Sequence, residues 1–198
     1  MTLGLPNVST KSGVVYDNEG FVPNVSLVQD REMLGNYADL ANWSVFNDDT
    51  ENLVLSVHHV IGTKSIEFDK ANGGSNTKFA IIENTSTKLD LSRFLHEDQI
   101  KVVVFIPNLN NVDYVLVRIG RDSANYNEWQ FPSADITVNK WSFLSKKLYE
   151  CEPLVIGEGW WPMDVRYVAF GVAFSAEQNI LTNIRVESVY VVTVQPTA

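Results

Sequence analysis

Between Trp43 and Val194 the chain alternates apolar and polar positions over short runs. Val102, Val104 and Ile106 fall on one side of an extended segment, as do Val168, Phe170, Val172 and Phe174. Successive side chains of a strand point to opposite faces, so each such run predicts a strand with one greasy side. Near the C-terminus Ile184, Val186, Tyr190, Val192 and Val194 share a face, with Arg185 and Glu187 opposite. The pattern predicts nine strands: Leu53–Ile61, Lys64–Asp69, Lys78–Glu83, Ile100–Ile106, Val112–Arg121, Trp129–Phe131, Lys140–Tyr149, Val165–Phe174 and Ile184–Val194. Two β-branched runs joined at Pro107, Asn108, Asn110 and Asn111 read as neighbouring antiparallel strands. Asn72-Gly73-Gly74-Ser75-Asn76 supplies the residues that tolerate positive φ in a tight reversal. Many short strands with turn residues between them and almost no helix predict an all-β fold, an antiparallel β-sandwich of the jelly-roll type.

Residues 1–42 do not follow this code. They sustain no period, and Pro-Asn-Val-Ser occurs twice, at Pro6 and at Pro23. Asp30–Ala41 reads as a short helical turn. The expected organisation is an N-terminal arm or wrapping segment over 1–42 and a sandwich domain over 43–198. Leu5, Val8, Phe21 and Val25 are the arm's apolar contacts, made either with its own sandwich or with a partner's surface.

Composition narrows the partners. The chain has 198 residues, 45% of them hydrophobic and 11% aromatic, and carries a formal net charge of −9. An acidic surface repels phosphate backbones and anionic lipid, which argues against nucleic-acid and membrane partners. No apolar run approaches the roughly 20 residues a spanning helix needs. The N-terminus shows no basic segment followed by an apolar one, so no secretory leader is expected. The single cysteine, Cys151, excludes an intrachain disulfide, and its neighbours Glu150 and Glu152 disfavour a reactive thiolate.

The chemistry of catalysis is thin. There is no Gly-x-Ser-x-Gly elbow, phosphate loop, dinucleotide fingerprint or HExxH helix. His58 and His59 are adjacent in a predicted strand, which would point them to opposite faces and away from a shared metal. Glu67 and Asp69 form a carboxylate pair on one strand face, the minimum a glycosidase would need. Neither is assigned a catalytic role, and the protein is expected not to be an enzyme. No cofactor is expected beyond a structural calcium, for which Asp48, Asp49 and Glu51 are the candidate ligands in an oxygen-rich loop. Aromatic residues are the remaining binding chemistry. Trp160 and Trp161 lie on a loop between Gly159 and Pro162, and Tyr126 and Trp129 stand with Asn125 as an aromatic and amide platform.

Several segments carry a resemblance. Gly62–Asp69 looks like the opening of galactose-binding-like jelly rolls, a group that includes many carbohydrate-binding modules. Leu89-Asp90-Leu91-Ser92 ahead of Asp98-Gln99-Ile100 resembles their middle. Val117–Tyr126 followed by Lys140–Phe143 is similar to a hairpin in jelly-roll domains of tailed-phage virion proteins. Ile184–Val191 resembles the closing strand, with Glu187 where an Asp often helps hold a structural calcium. The resemblance spans roughly residues 43–194. It implies a virion structural protein, a capsid decoration or cement protein, made in the host cytoplasm. Such a protein would bind the major capsid protein or another virion protein as a homo-oligomer. The alternative it implies is a carbohydrate-binding module, or a tail accessory that holds host glycan.

Overall fold

The computed structural model describes residues 15–16, 23–24, 30–71, 77–151, 155–159, 161–177 and 179–194. Among these residues lie fourteen strands and two single-turn 3-10 helices. They are β1 (Val15–Tyr16), β2 (Pro23–Asn24), β3 (Arg31–Met33), β4 (Trp43–Val45), β5 (Thr50–Ser56), β6 (Ser65–Lys70) and β7 (Phe79–Asn84). Then come β8 (Gln99–Phe105), β9 (Val112–Asp122), β10 (Asn125–Pro132), β11 (Trp141–Lys147), β12 (Val155–Ile156), β13 (Tyr167–Phe174) and β14 (Leu181–Val192).

Two sheets make the sandwich. The front sheet runs β12-β10-β9-β13-β7-β4 and the back sheet β11-β8-β14-β6-β5, with β3 added beside the far half of β14. All named pairings are antiparallel. The chain crosses between sheets after β3, β4, β6, β7, β8, β10, β11 and β13, which is how a jelly roll winds. Between the sheets lies one continuous core. The front sheet contributes Ile82, Val117, Ile119, Phe131, Phe170 and Phe174, and the back sheet Ile66, Phe68, Val102, Val104, Ile184 and Val191.

The structure departs from the expected pattern in instructive places. β8 and β9 are not neighbours: the Asn-rich turn carries the chain from the back sheet to the front. Asn111 sits there at φ 56°, and the Asn110 amide donates to Asn108 Oδ1 at 3.1 Å. β9 instead pairs with β10. Trp141–Phe143 belongs to β11 in the back sheet, so Lys140–Phe143 forms no hairpin with Val117–Tyr126.

Asp30–Ala41 makes no helical turn. Its backbone bonds are taken by β14, with the Leu34 amide donating to Val189 O at 2.8 Å. Gly35, at φ 111°, lies far from helical geometry. Leu34, Tyr37 and Trp43 are buried in the main core, and Trp43 Nε1 donates to Asn36 O. Residues 30–42 therefore pack against the sandwich. Leu5, Val8, Phe21 and Val25 lie outside the described residues.

A bulge in β14 overturns the expected last strand face. Val186 pairs with Val104 and Ser188 with Val103, which leaves Glu187 as the extra residue. The parity of the strand flips there. Ile184, Val186, Val189 and Val191 fill the core, and the Arg31 guanidinium stacks 3.8 Å from the centre of the Tyr190 ring. The Glu187 carboxylate is buried and accepts from the amides of Val60 (2.8 Å), Ile61 (2.5 Å) and Gly62. Those amides are diverted from strand pairing. β5 accordingly ends at Ser56, and His58 and His59 sit in an exposed loop rather than on opposite strand faces.

Candidate functional site

The front sheet has a second apolar layer on its outer side. Ile81, Leu116, Tyr126, Tyr167 and Ala169 are buried there, with Phe79, Tyr114 and Ile156 packed against them. The sequence builds this layer by alternation. On β9, Tyr114, Leu116, Arg118 and Gly120 face out while Val115, Val117 and Ile119 face the core. On β10, Tyr126, Glu128 and Gln130 face out opposite Gly120, Arg118 and Leu116. On β13 the outward residues are Tyr167, Ala169, Gly171 and Ala173. From Tyr114 to Gly120 this face spans six residue steps, about 20 Å.

Arg118 and Glu128 are the centre of the face. They are cross-strand partners, and Arg118 Nε donates to Glu128 Oε2 at 2.8 Å, with Glu128 almost wholly buried. Gln130 Nε2 donates to Glu128 Oε1 at 2.7 Å, so both carboxylate oxygens are held. The guanidinium lies 4.8 Å from the centre of the Tyr126 ring and 5.8 Å from that of Phe46. Cations are drawn to ring faces at such distances, more strongly when desolvated. Phe46, which is 41% exposed, is positioned by its amide donating to Ile81 O at 2.9 Å.

Tyr126 and Tyr167 meet above Gly120, their ring centres 5.9 Å apart. A Cβ on Gly120 would collide with the Asn125 carbonyl and with the backbone of Tyr126. Glycine is required here by crowding rather than by φ. The Tyr167 hydroxyl is buried beside Arg118 without a well-aligned hydrogen-bond partner, and burial pushes its pKa well up. Glu83 stands one strand beyond Ala169. Burial raises its carboxyl above the ordinary range, and Arg118 pulls the other way. The floor of the face is closed; Phe46, Phe79, Tyr114, Glu83, Gln130 and Ile156 meet solvent. It is a ring-studded platform with fixed polar groups, not a deep slot.

The expected site residues divide. Tyr126 belongs to the platform. Trp129 does not: it lies three positions on, on the core side of β10, fully buried, with Nε1 donating to Leu148 O at 3.2 Å. Asn125 is a staple: its Oδ1 accepts from the Glu158 amide at 3.0 Å and its Nδ2 donates to Asp122 Oδ1 at 2.8 Å. Trp161 is half exposed, on the loop that leaves β12 near Ile156. Trp160 lies outside the described residues.

The Asp48, Asp49 and Glu51 loop is not arranged around a shared ion. Asp48 and Glu51 are exposed, while Asp49 is buried against the fully buried Lys70 ammonium at 2.7 Å. Lys70 Nζ also donates to Ala71 O and Glu177 O. The cation at this loop is a lysine. Among the described residues no three His, Cys, Asp or Glu side chains converge as a metal site would require. Glu67 pairs with Arg185, and Asp69 accepts from Asn52 Nδ2 and the Asn183 amide, both at 2.7 Å. Arg118, Glu128, Tyr114, Tyr167, Glu83 and Phe46 were not singled out from sequence. One signal was there: the hairpin folds about Ser123, which sets 118 opposite 128 and 120 opposite 126.

No protein-family model matches the chain, and no curated protein matches it. Solved structures do. A family 11 carbohydrate-binding module from Clostridium thermocellum, in complex with a β-1,3-1,4-mixed-linked tetrasaccharide, superposes with a TM-score of 0.55 at 8% identity, covering 81% of this chain and 94% of that one. A family 30 module of a cellulosomal cellulase of the same organism gives 0.56 at 11% identity, covering 86% and 100%. An exo-β-agarase gives 0.56 at 9% identity, covering 83% of this chain and 24% of the enzyme. Such identities establish architecture alone, and the architecture of this chain is the β-sandwich of carbohydrate-binding modules.

Proposed function

We propose that this protein binds glycan chains, without cleaving them, on the outer face of the front sheet. The observation that carries the reading is the platform centred on Arg118. Its guanidinium is fixed by Glu128 between Tyr126 and Phe46, and Tyr114, Gln130 and Glu83 are partly exposed around it. A sugar ring has an apolar C–H face and an edge of hydroxyls. Aromatic rings suit the first, and held donors and acceptors suit the second. Preorganisation lowers the ordering cost of binding. Glu128, tied to both Arg118 and Gln130, is a structural acceptor rather than a proton-transfer group. The likeness to carbohydrate-binding modules supports the same reading.

A virion decoration role draws its support from the acidic charge and the short resemblances noted above. Its arm contacts fall outside the described residues, and the structural neighbours favour glycan binding over it. The test is isothermal titration with mixed-linkage β-glucan, xylan, agarose oligosaccharides and cello-oligosaccharides. At least one should bind, and Phe46→Ala should weaken that binding about tenfold, the scale of one lost stacking contact. Silence across the panel, or an unchanged Kd in Phe46→Ala, rejects the platform.

A further inference from the structure

A cleft of about 370 Å³ opens at the side of the sandwich, where β10 of the front sheet faces the ends of β8 and β11. Its floor is Phe94 and Leu148, both nearly buried. Leu95 and Tyr149 form exposed walls, 70% and 49% accessible. His96, Asn127 and Cys151 supply the polar groups. The cleft is separate from the platform although β10 serves both: Tyr126 and Glu128 point outward, and Asn127 between them points the other way.

Its walls are preformed. The Tyr149 amide donates to His96 O at 3.2 Å and the Leu148 amide to Asp98 O at 2.8 Å, which locks the turn after β11 to the loop before β8. The buried Asp98 carboxylate braces that loop by accepting from the amides of Leu95 (2.7 Å) and Val194 (2.9 Å). Asn127 Nδ2 approaches Cys151 Sγ at 3.5 Å. Among the described residues, no Asp, Glu, Lys or Arg side chain lines the cleft. Beside it Lys147 and Glu97 pair at 2.8 Å, Lys147 Nζ lies 5.2 Å from the centre of the Tyr149 ring, and the Glu150 carboxylate accepts from the Lys147 amide at 2.9 Å.

We infer that this cleft is a second saccharide site that takes the end of a neutral glycan, one or two rings long. The size falls at the small end of ligand sites, too small for a long oligomer. The lining has what an uncharged sugar needs: an exposed aromatic wall for the C–H face, and imidazole, amide and phenol groups for hydroxyls. A charged ligand would find no counter-ion among the described lining residues. The ligand class rests on the glycan-binding reading; the position of the site does not.

Cys151 provides the readout, because it is the only cysteine in the chain and it lines the cleft. Iodoacetamide labelling followed by mass spectrometry measures its accessibility with and without cellobiose, lactose, glucose or galactose. At least one of these sugars should slow labelling saturably, by about fivefold or more at ten times a millimolar Kd. Tyr149→Ala should raise the sugar concentration for half-protection about tenfold, while Phe46→Ala leaves it unchanged. Both side chains are substantially exposed, so the variants should keep the parent's melting temperature. Absence of protection by all four sugars overturns the inference. So does protection that survives Tyr149→Ala and disappears in Phe46→Ala. If polysaccharide binding fails while protection persists, the platform is rejected and the cleft stands; the reverse result rejects the cleft alone.

Discussion

Arg118 and Glu128 form a nearly buried ion pair at the centre of the platform. Their attraction repays desolvation because both carboxylate oxygens are occupied and the cation is bracketed by rings. Removing one partner leaves the other buried without compensation. Glu128→Ala should therefore cost about 3–5 kcal/mol, measured by urea unfolding, whereas Arg118→Met combined with Glu128→Leu should recover most of that loss. A cost below about 1 kcal/mol for the single variant would mean the pair is effectively solvated. Glu83 behaves differently. Burial raises its carboxyl above the ordinary value of 4.5, with Arg118 opposing the shift. The folded state thus holds this proton more tightly than the unfolded state. Stability falls as pH rises from 4.5 through the raised value, and then levels off. Glu83→Gln should match the parent at pH 3 and melt higher at pH 7; equal melting temperatures at both would contradict the assignment.

At the scale of the element, the bulge at Glu187 does the most to shape the molecule. One inserted residue flips the face of β14, brings Val189 and Val191 into the core, and turns a carboxylate toward three successive amides. Those bonds end β5 and hold the loop that carries His58 and His59. Glu187→Ala should cost roughly 2–4 kcal/mol, since three amides lose a charged acceptor at once. Hydrogen exchange should become fast at Val60, Ile61 and Gly62 while the pairing of β8 with β14 stays protected. Unchanged exchange at those amides would show that the carboxylate is not what holds the loop. The strands themselves were legible in outline, because alternation is a local property of a pleated backbone. β3, β4 and β12 were not. They have two or three residues each, too few to show a period, and exist because a longer strand offers them partners.

Across the whole molecule, the sandwich begins by Asp30, where the Asp30 amide donates to Thr193 Oγ1 at 2.9 Å. Leu34 and Tyr37 are core residues, and β3 covers the outer half of β14. A chain starting at Trp43 should be less stable than one starting at Asp30 by about 3–5 kcal/mol, the scale of one or two buried side chains. Comparison of urea midpoints tests this, and equal midpoints would show that residues 30–42 add nothing to the stability of the sandwich. The platform and the cleft are also whole-molecule features. The platform needs β7, β9, β10 and β13 together with Phe46 from the segment after β4, and the cleft needs the two sheets held apart at one side.

What the amino-acid order determined alone is the kind of molecule: an all-β sandwich with a closed core, acidic, with aromatic residues in its turns and outer strand positions. Burial follows from alternation, and alternation can be read one residue at a time. Only the tertiary structure decided which strands pair, which of two nearby aromatics on β10 joins the outer layer and which the core, and which cation Asp49 holds. Those outcomes depend on register between distant segments. A one-residue shift in register exchanges the two faces of a strand, and local sequence carries little record of that choice.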